Sequence, residues 1–228
     1  MKILFTLLIF FFQINVFAQS GSVNKYFEGV VEYAIKSESY MKSISDNEIR
    51  ERSGSTLKLF FKDGDYMREY MDEDGYTLRK FFYRKDKNMI YMYNPISAPD
   101  TLYYALASDT GYLSFDITPG ATEKVLEYQC PSSVVKAKYI ASFLPDTGTV
   151  QLTYFFSPEL PVNPEWHKDV YIWNEVIKLH KSIAIKFVED NHLFFKQTFT
   201  ATKINWQRVD ESVFTIDPKL ILKKLPTY

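Results

Sequence analysis

The chain has 228 residues, with 27 Lys and Arg against 28 Asp and Glu and a formal net charge of −1. No basic field suits nucleic acid, and the short cluster Lys219/Lys223/Lys224 is too small to make one. The single cysteine, Cys130, cannot form an intrachain disulfide, and eight glycines supply no phosphate loop or dinucleotide fingerprint.

The first element in chain order is a leader. Met1-Lys2 precedes an apolar run, Ile3 to Val16, interrupted only by Thr6, Gln13 and Asn15; Ala18 then stands before Gln19. A positive start, an apolar core and a small residue at the cleavage position are the parts of a secretory signal peptide, and the run is short for a membrane span. The expectation is a signal peptide over 1–18 and a mature chain that begins at Gln19, is periplasmic or secreted, and has no transmembrane span. No cysteine lies near the cleavage site to accept a lipid anchor.

Period-two alternation dominates the rest. Phe27, Gly29, Val31, Tyr33 and Ile35 share one side of a half-buried strand. Residues 38–53 are polar and irregular, a loose helix or a loop. Leu57, Leu59 and Phe61 resume the strand pattern, and Asp63-Gly64, Asp72 to Gly75 and Lys85 to Asn88 read as turns between strands ending near Tyr93. This is an antiparallel meander. Residues 94–100 connect, 101–106 are extended, and 109–120 read as a loop anchored by Tyr112, Leu113 and Phe115. Strands are expected over 125–130, 134–143 and 150–156, with a turn at Pro145 to Gly148. Pro158, Pro161 and Pro164 argue against a regular element before Glu165. Beyond them Trp166, Val170, Trp173 and Ile177 fall at helical spacing, although Val170 to Trp173 is β-rich. Strands over 182–189 and 193–208 follow, then the short apolar pieces 213–216 and 220–225. About ten strands without βαβ spacing predict one mainly β domain over 19–228, with no parallel sheet.

Candidate chemistry is sparse. His167, His180 and His192 form no metal-binding spacing, although His180 and His192 could meet across the hairpin at Asp190-Asn191. The acidic residues Asp63, Asp65, Asp72, Glu73 and Asp74 read as turn chemistry rather than a calcium loop. Asp-Thr-Gly occurs at 109–111 and 146–148, resembling an aspartic protease loop, but the two copies are too close for two lobes. Ser132 and Ser133 follow a proline with no histidine nearby in sequence, no Gly-x-Ser-x-Gly elbow exists, and Cys130 reads as a buried small hydrophobe. These residues predict no catalytic site, no metal and no cofactor. What stands out is the ring content: 19 Phe, 17 Tyr and 3 Trp. Such rings build sheet cores, and they also line apolar cavities.

Three segments carry a family resemblance: Phe27-Glu28-Gly29-Val30-Val31-Glu32-Tyr33, the stretch Tyr154 to Trp166 that contains Ser157-Pro158-Glu159-Leu160-Pro161, and Asp210 to Pro218. Together they resemble exported Gram-negative proteins of the periplasmic lipoprotein-carrier-like superfamily. They are also similar to GLPGLI-type exported proteins, whose namesake segment is missing here. The resemblance implies a strongly curved antiparallel sheet, an incomplete (half) β-barrel, with a small helix or loop packed on its concave face. It gives the aromatic surplus a use, as the wall of a site for a lipid or other apolar ligand. Carriers also rely on a polar residue that holds their lid. None matches here, so transfer activity is not carried over. The expected pocket lies between the sheet and residues 158–178, with Tyr33, Phe61, Tyr83, Tyr154, Phe156, Trp173, Phe187, Phe195 and Phe199 as candidate ligand-binding residues. The alternative is a structural or protein-interaction domain of the cell envelope whose rings fill their own core; a hydrolase is the remote one.

Overall fold

The computed structural model describes residues 25–109, 111–140 and 147–225. The expected signal peptide and its cleavage site lie outside them, as do Thr110, the 141–143 end of the strand expected over 134–143, and Pro145-Asp146. In chain order the elements are β1 (Gly29–Ser39), α1 (Asp46–Ser53), β2 (Thr56–Lys62), β3 (Asp65–Met71), β4 (Thr77–Arg84), β5 (Met89–Asn94), β6 (Ala98–Leu106), β7 (Tyr112–Pro119), β8 (Glu123–Val125), β9 (Tyr128–Cys130), β10 (Ser132–Tyr139), β11 (Gly148–Pro161), α2 (Trp173–His180), β12 (Ser182–Asn191), β13 (Phe195–Trp206) and β14 (Ile221–Lys224). Short 3-10 turns cover Pro164–His167 and Glu211–Phe214.

Twelve strands form one sheet in the order β14-β6-β5-β4-β3-β2-β1-β13-β12-β11-β10-β7, and β8 and β9 make a separate hairpin. The protein is mainly β and the large sheet is not closed into a barrel. β1 sits in the middle of the sheet, with β2 on one side and β13 on the other. Every pairing in the large sheet is antiparallel except β14 with β6. The sheet is therefore mixed rather than the wholly antiparallel one expected: β14 arrives from a long return, not from a hairpin, so nothing forces it to run antiparallel.

Alternation sorts the side chains onto two faces. Val30, Phe60, Met67, Phe82, Tyr91 and Tyr104 are successive cross-strand partners from β1 to β6. They pack under Val209, Val213, Phe214, Ile216 and Leu220 of the C-terminal segment. The opposite face carries Tyr33, Ile35, Leu57, Phe61, Tyr70 and Phe199, against Val162, Trp166, Trp173 and Ile177 of the segment between β11 and β12. Burying rings on both faces is what a hydrophobic drive of about 25 cal/mol per Å² favours in a chain this rich in them.

Several boundaries differ from the sequence expectation. Residues 112–119 form β7 rather than a loop. The stretch 125–130 is a hairpin of two short strands, turned by Leu126 at φ 55°. β11 runs on through Pro158 to Pro161, because its pairing with β12 is interrupted between Phe156 and Pro161. A proline at an unpaired position removes no ladder bond. The helix expected from Pro164 is split into a 3-10 turn and α2, separated by Ile172 at φ 65°. Residues 46–53 are helical as well, fixed by a capping box in which the Ser45 hydroxyl accepts from the Glu48 amide and Glu48 accepts from the Ser45 amide.

The β2–β3 hairpin is where the sheet and its cover meet. Asp63 (φ 49°) and Gly64 (φ 90°) take the left-handed pair that a tight hairpin needs. Gly64 is required for a second reason, since a Cβ there would lie 2.6 Å from Cβ of Trp166.

Candidate functional site

A cavity of about 230 Å³ lies between the sheet and the segment 158–178. The sheet contributes Tyr33 from β1, Leu57, Leu59 and Phe61 from β2, and Tyr66, Arg68 and Tyr70 from β3. Tyr112 comes from β7, Leu152 and Tyr154 from β11, Ile183, Ala184, Phe187 and Glu189 from β12, and Phe199 from β13. The cover contributes Val162, His167, Trp173 and Ile177.

Six of the nine candidate residues border this space: Tyr33, Phe61, Tyr154, Trp173, Phe187 and Phe199. Three do not. Tyr83 lies one strand further out, stacked on Tyr66 (5.3 Å between centroids), and its hydroxyl donates to the Trp166 carbonyl at 3.2 Å. Phe156 is fully buried under α2 and stacks on the His180 ring at 4.0 Å. Phe195 begins β13, opposite Ser39 and Asn191, beyond the reach of the cavity. Alternation places a residue on a face; it does not say how far along the strand the void extends.

The rings form a connected wall. Phe187 and Phe199 stack at 4.1 Å, Tyr33 meets Phe187 edge-on at 5.8 Å, and Tyr154 meets Trp173 edge-on at 5.1 Å. The Tyr33 hydroxyl donates to the Ala184 carbonyl at 2.8 Å. Burial pushes the phenols of Tyr33, Tyr66 and Tyr154 up, and that of Tyr112 to about 12, so all four stay neutral donors across the physiological range.

Sequence reasoning overlooked the charged lining. Arg68 lies between Tyr66 and Tyr70 on the inward side of β3, with Leu59 and Phe81 as cross-strand neighbours. Its guanidinium stands 5.2 Å from the Tyr66 ring centroid. Glu189 follows Phe187 on the same side of β12. Burial raises its carboxyl pKa, partly offset by Arg79 and Arg68. The signal was present in the sequence: a charge at a position whose neighbours two residues away are aromatic.

His167 is the third polar wall. Its Nε2 lies 3.1 Å from the Gly64 carbonyl, to which it donates as the neutral tautomer. Its buried Nδ1 has no hydrogen-bond partner among the described residues. The ring is surrounded by Phe61, Tyr66 and Tyr83.

Two other arrangements bear on chemistry. The fold brings His180 Nε2 to 2.8 Å from Ser133 Oγ, a pair that sequence distance hid. Ser133 is buried, and among the described residues no carboxylate is hydrogen-bonded to the His180 ring. The pair satisfies the buried Ser133 hydroxyl and the half-buried His180 ring; a nucleophilic triad needs a third member to orient the base. His192 pairs instead with Asp190 at 3.1 Å, and the described residues contain no group of three or more His, Cys, Asp or Glu side chains placed to hold a metal. Cys130 is fully buried. No protein-family model matches the chain, and no curated protein matches it.

The cover has the burial of a plug. Leu160, Val162, Val170, Ile172, Val176 and Ile177 are all buried, distributed over three core clusters. Amide exchange should therefore protect α2 on the time scale of β12 and β13, as mass spectrometry of timed deuteration can show. Exchange of α2 well before the strands would identify it as a flap.

Proposed function

We propose that the chain is an exported binding or carrier-like module, periplasmic or secreted, for an apolar ligand such as a lipid or lipid-linked group. The observation that carries this reading is the ring-walled cavity of about 230 Å³, with neutral phenols and a guanidinium at its edge. Pockets built of apolar and aromatic walls with a few polar groups are the usual form of small-molecule sites. A dry cavity of about 150 Å³ holds a benzene-sized guest, so this one takes roughly ten non-hydrogen atoms. It suits part of an acyl chain, or a small aromatic or aliphatic molecule.

The relation to the lipoprotein-carrier-like superfamily, with its curved half-barrel, belongs to the same proposal. Its support is topological. β3 and β7 stand seven places apart in the sheet order. In a flat sheet that is roughly 33 Å at about 4.8 Å per strand. Arg68 of β3 and Tyr112 of β7 nevertheless border one small cavity, which a sheet bent round the space explains. The reading is non-catalytic.

Delipidated protein, incubated with a membrane lipid extract and sprayed under native conditions, should carry an adduct of lipid mass. Protein that stays bare at every lipid concentration would return the rings to a purely structural role, and the chain to an interaction domain of the envelope.

A further inference from the structure

The charges of the cavity identify the kind of ligand further, given the reading that it binds one. Among the described residues Arg68 makes no salt bridge and no hydrogen bond; its only described contact of that kind is with the face of Tyr66. Arg79 lies outside the cavity wall, 4.3 Å over the Tyr70 ring, with a buried Nε that has no hydrogen-bond partner among the described residues. Glu189 is the one carboxylate in the cavity wall, and it forms no ion pair within 4.0 Å among the described residues. Two guanidiniums, Arg68 in the wall and Arg79 outside it, thus stand within electrostatic reach of one carboxylate, leaving one positive charge in excess beside an apolar wall. An unpaired cation in a weakly solvated place is costly, and an incoming anion removes that cost.

We propose that the cavity takes an amphiphilic monocarboxylate, a medium-chain or aryl-substituted organic acid, whose carboxylate is held by Arg68 and whose apolar body lies against Trp173, Phe187 and Phe199. A guanidinium offers a planar fork that matches a carboxylate two bonds to two. The uncompensated charge is single, which fits a monoanion better than a phosphate dianion. The apolar body is limited to about eight carbons by the volume, so a longer acid leaves its tail outside. Glu189 bears on the same selectivity by repelling a second negative charge.

Octanoate, of about ten non-hydrogen atoms, and its neutral counterpart octan-1-ol separate charge recognition from greasiness. Titration calorimetry on the full protein should find octanoate bound about 10–100-fold tighter than octanol, the span of a charge-assisted hydrogen-bonded pair. Arg68→Gln should bring octanoate down to the level of octanol measured on the same variant. Glu189→Gln should strengthen octanoate several-fold, and it serves as the second variant should Arg68→Gln fail to fold. Mono-octyl phosphate should bind more weakly than octanoate; the reverse order would overturn the carboxylate assignment. Equal binding of octanoate and octanol, or octanoate binding indifferent to Arg68→Gln in folded protein, would overturn the role of Arg68 while leaving an apolar site in place. No binding of either probe to folded protein would remove both the inference and the cavity's function as a binding site.

Discussion

Phe156→Ala should lower the stability of the protein by about 3–5 kcal/mol, while Phe187→Ala should cost clearly less. Both are large rings on neighbouring strands, and sequence alone treats them alike. Phe156 is fully buried, packed in one cluster with Val135, Val150, Ile172 and Val176, and stacked on His180 at 4.0 Å. Removing it leaves a new hole in a filled region, and the loss is transfer free energy plus the cost of that hole. Phe187 is only partly buried and already borders a void. Its removal enlarges an existing space, and only its contacts with Phe199, Tyr33 and Tyr154 are lost. Urea unfolding followed by fluorescence gives both numbers from the midpoints, provided the denaturant slopes agree. The functional consequence runs the other way: Phe187→Ala should weaken octanoate binding, and Phe156→Ala should leave it intact at temperatures where the protein is folded. A loss at Phe187 equal to that at Phe156 would mean that the void is not there in solution.

That contrast marks where the sequence is legible. Local chemistry reads well. Asp63-Gly64 encodes its hairpin because the left-handed pair is cheap for those two residues, and the alternation of β1, β12 and β13 follows from burying one side of each. Elements set by distant contacts read badly. β7 is mostly exposed on both sides and so shows little alternation, although all of it but Leu113 is in register with β10. The start of α2 depends on Ile172 holding a left-handed conformation, which its side chain disfavours and which the core around it imposes. β14 pairs in parallel with a strand more than a hundred residues earlier, and no local pattern announces that. The same division holds for the site. Its rings are found by parity because apolar side chains on the inner face are the expected ones. Arg68 and Glu189 are missed because a charge in a strand reads as solvent-facing, and only the parity of Tyr66, Tyr70 and Phe187 around them says otherwise. Ser133 and His180 are brought together by the fold across 47 positions.

His167 should make the protein lose about 3 kcal/mol of stability between pH 7 and pH 4. Burial pushes this imidazole down to about 4, reinforced by the nearby positive charges of Lys85 and Arg68 and opposed by the hydrogen bond to the Gly64 carbonyl. In the unfolded chain the ring takes its proton near pH 6.5. Above that value neither state is protonated at this site, and the full contribution is present. Between about 6.5 and 4 the unfolded state holds more protons than the folded one, so stability falls as the pH falls. Below about 4 both states are protonated and the loss is complete. Asp65 and Glu189 work in the opposite sense, since burial raises both carboxyl pKa values and favours the fold on acidification. A difference measurement isolates the histidine. His167→Gln can place its amide nitrogen near the position of Nε2, keep a donor for Gly64, and has nothing to titrate. Urea midpoints at intervals from pH 7.5 to 4 should fall more steeply for the wild type than for His167→Gln. The two curves should separate below about pH 6.5, whatever the variant's stability at neutral pH. Parallel curves across that range would show that the His167 ring is solvated, and that the cover does not seal the β2–β3 end of the cavity.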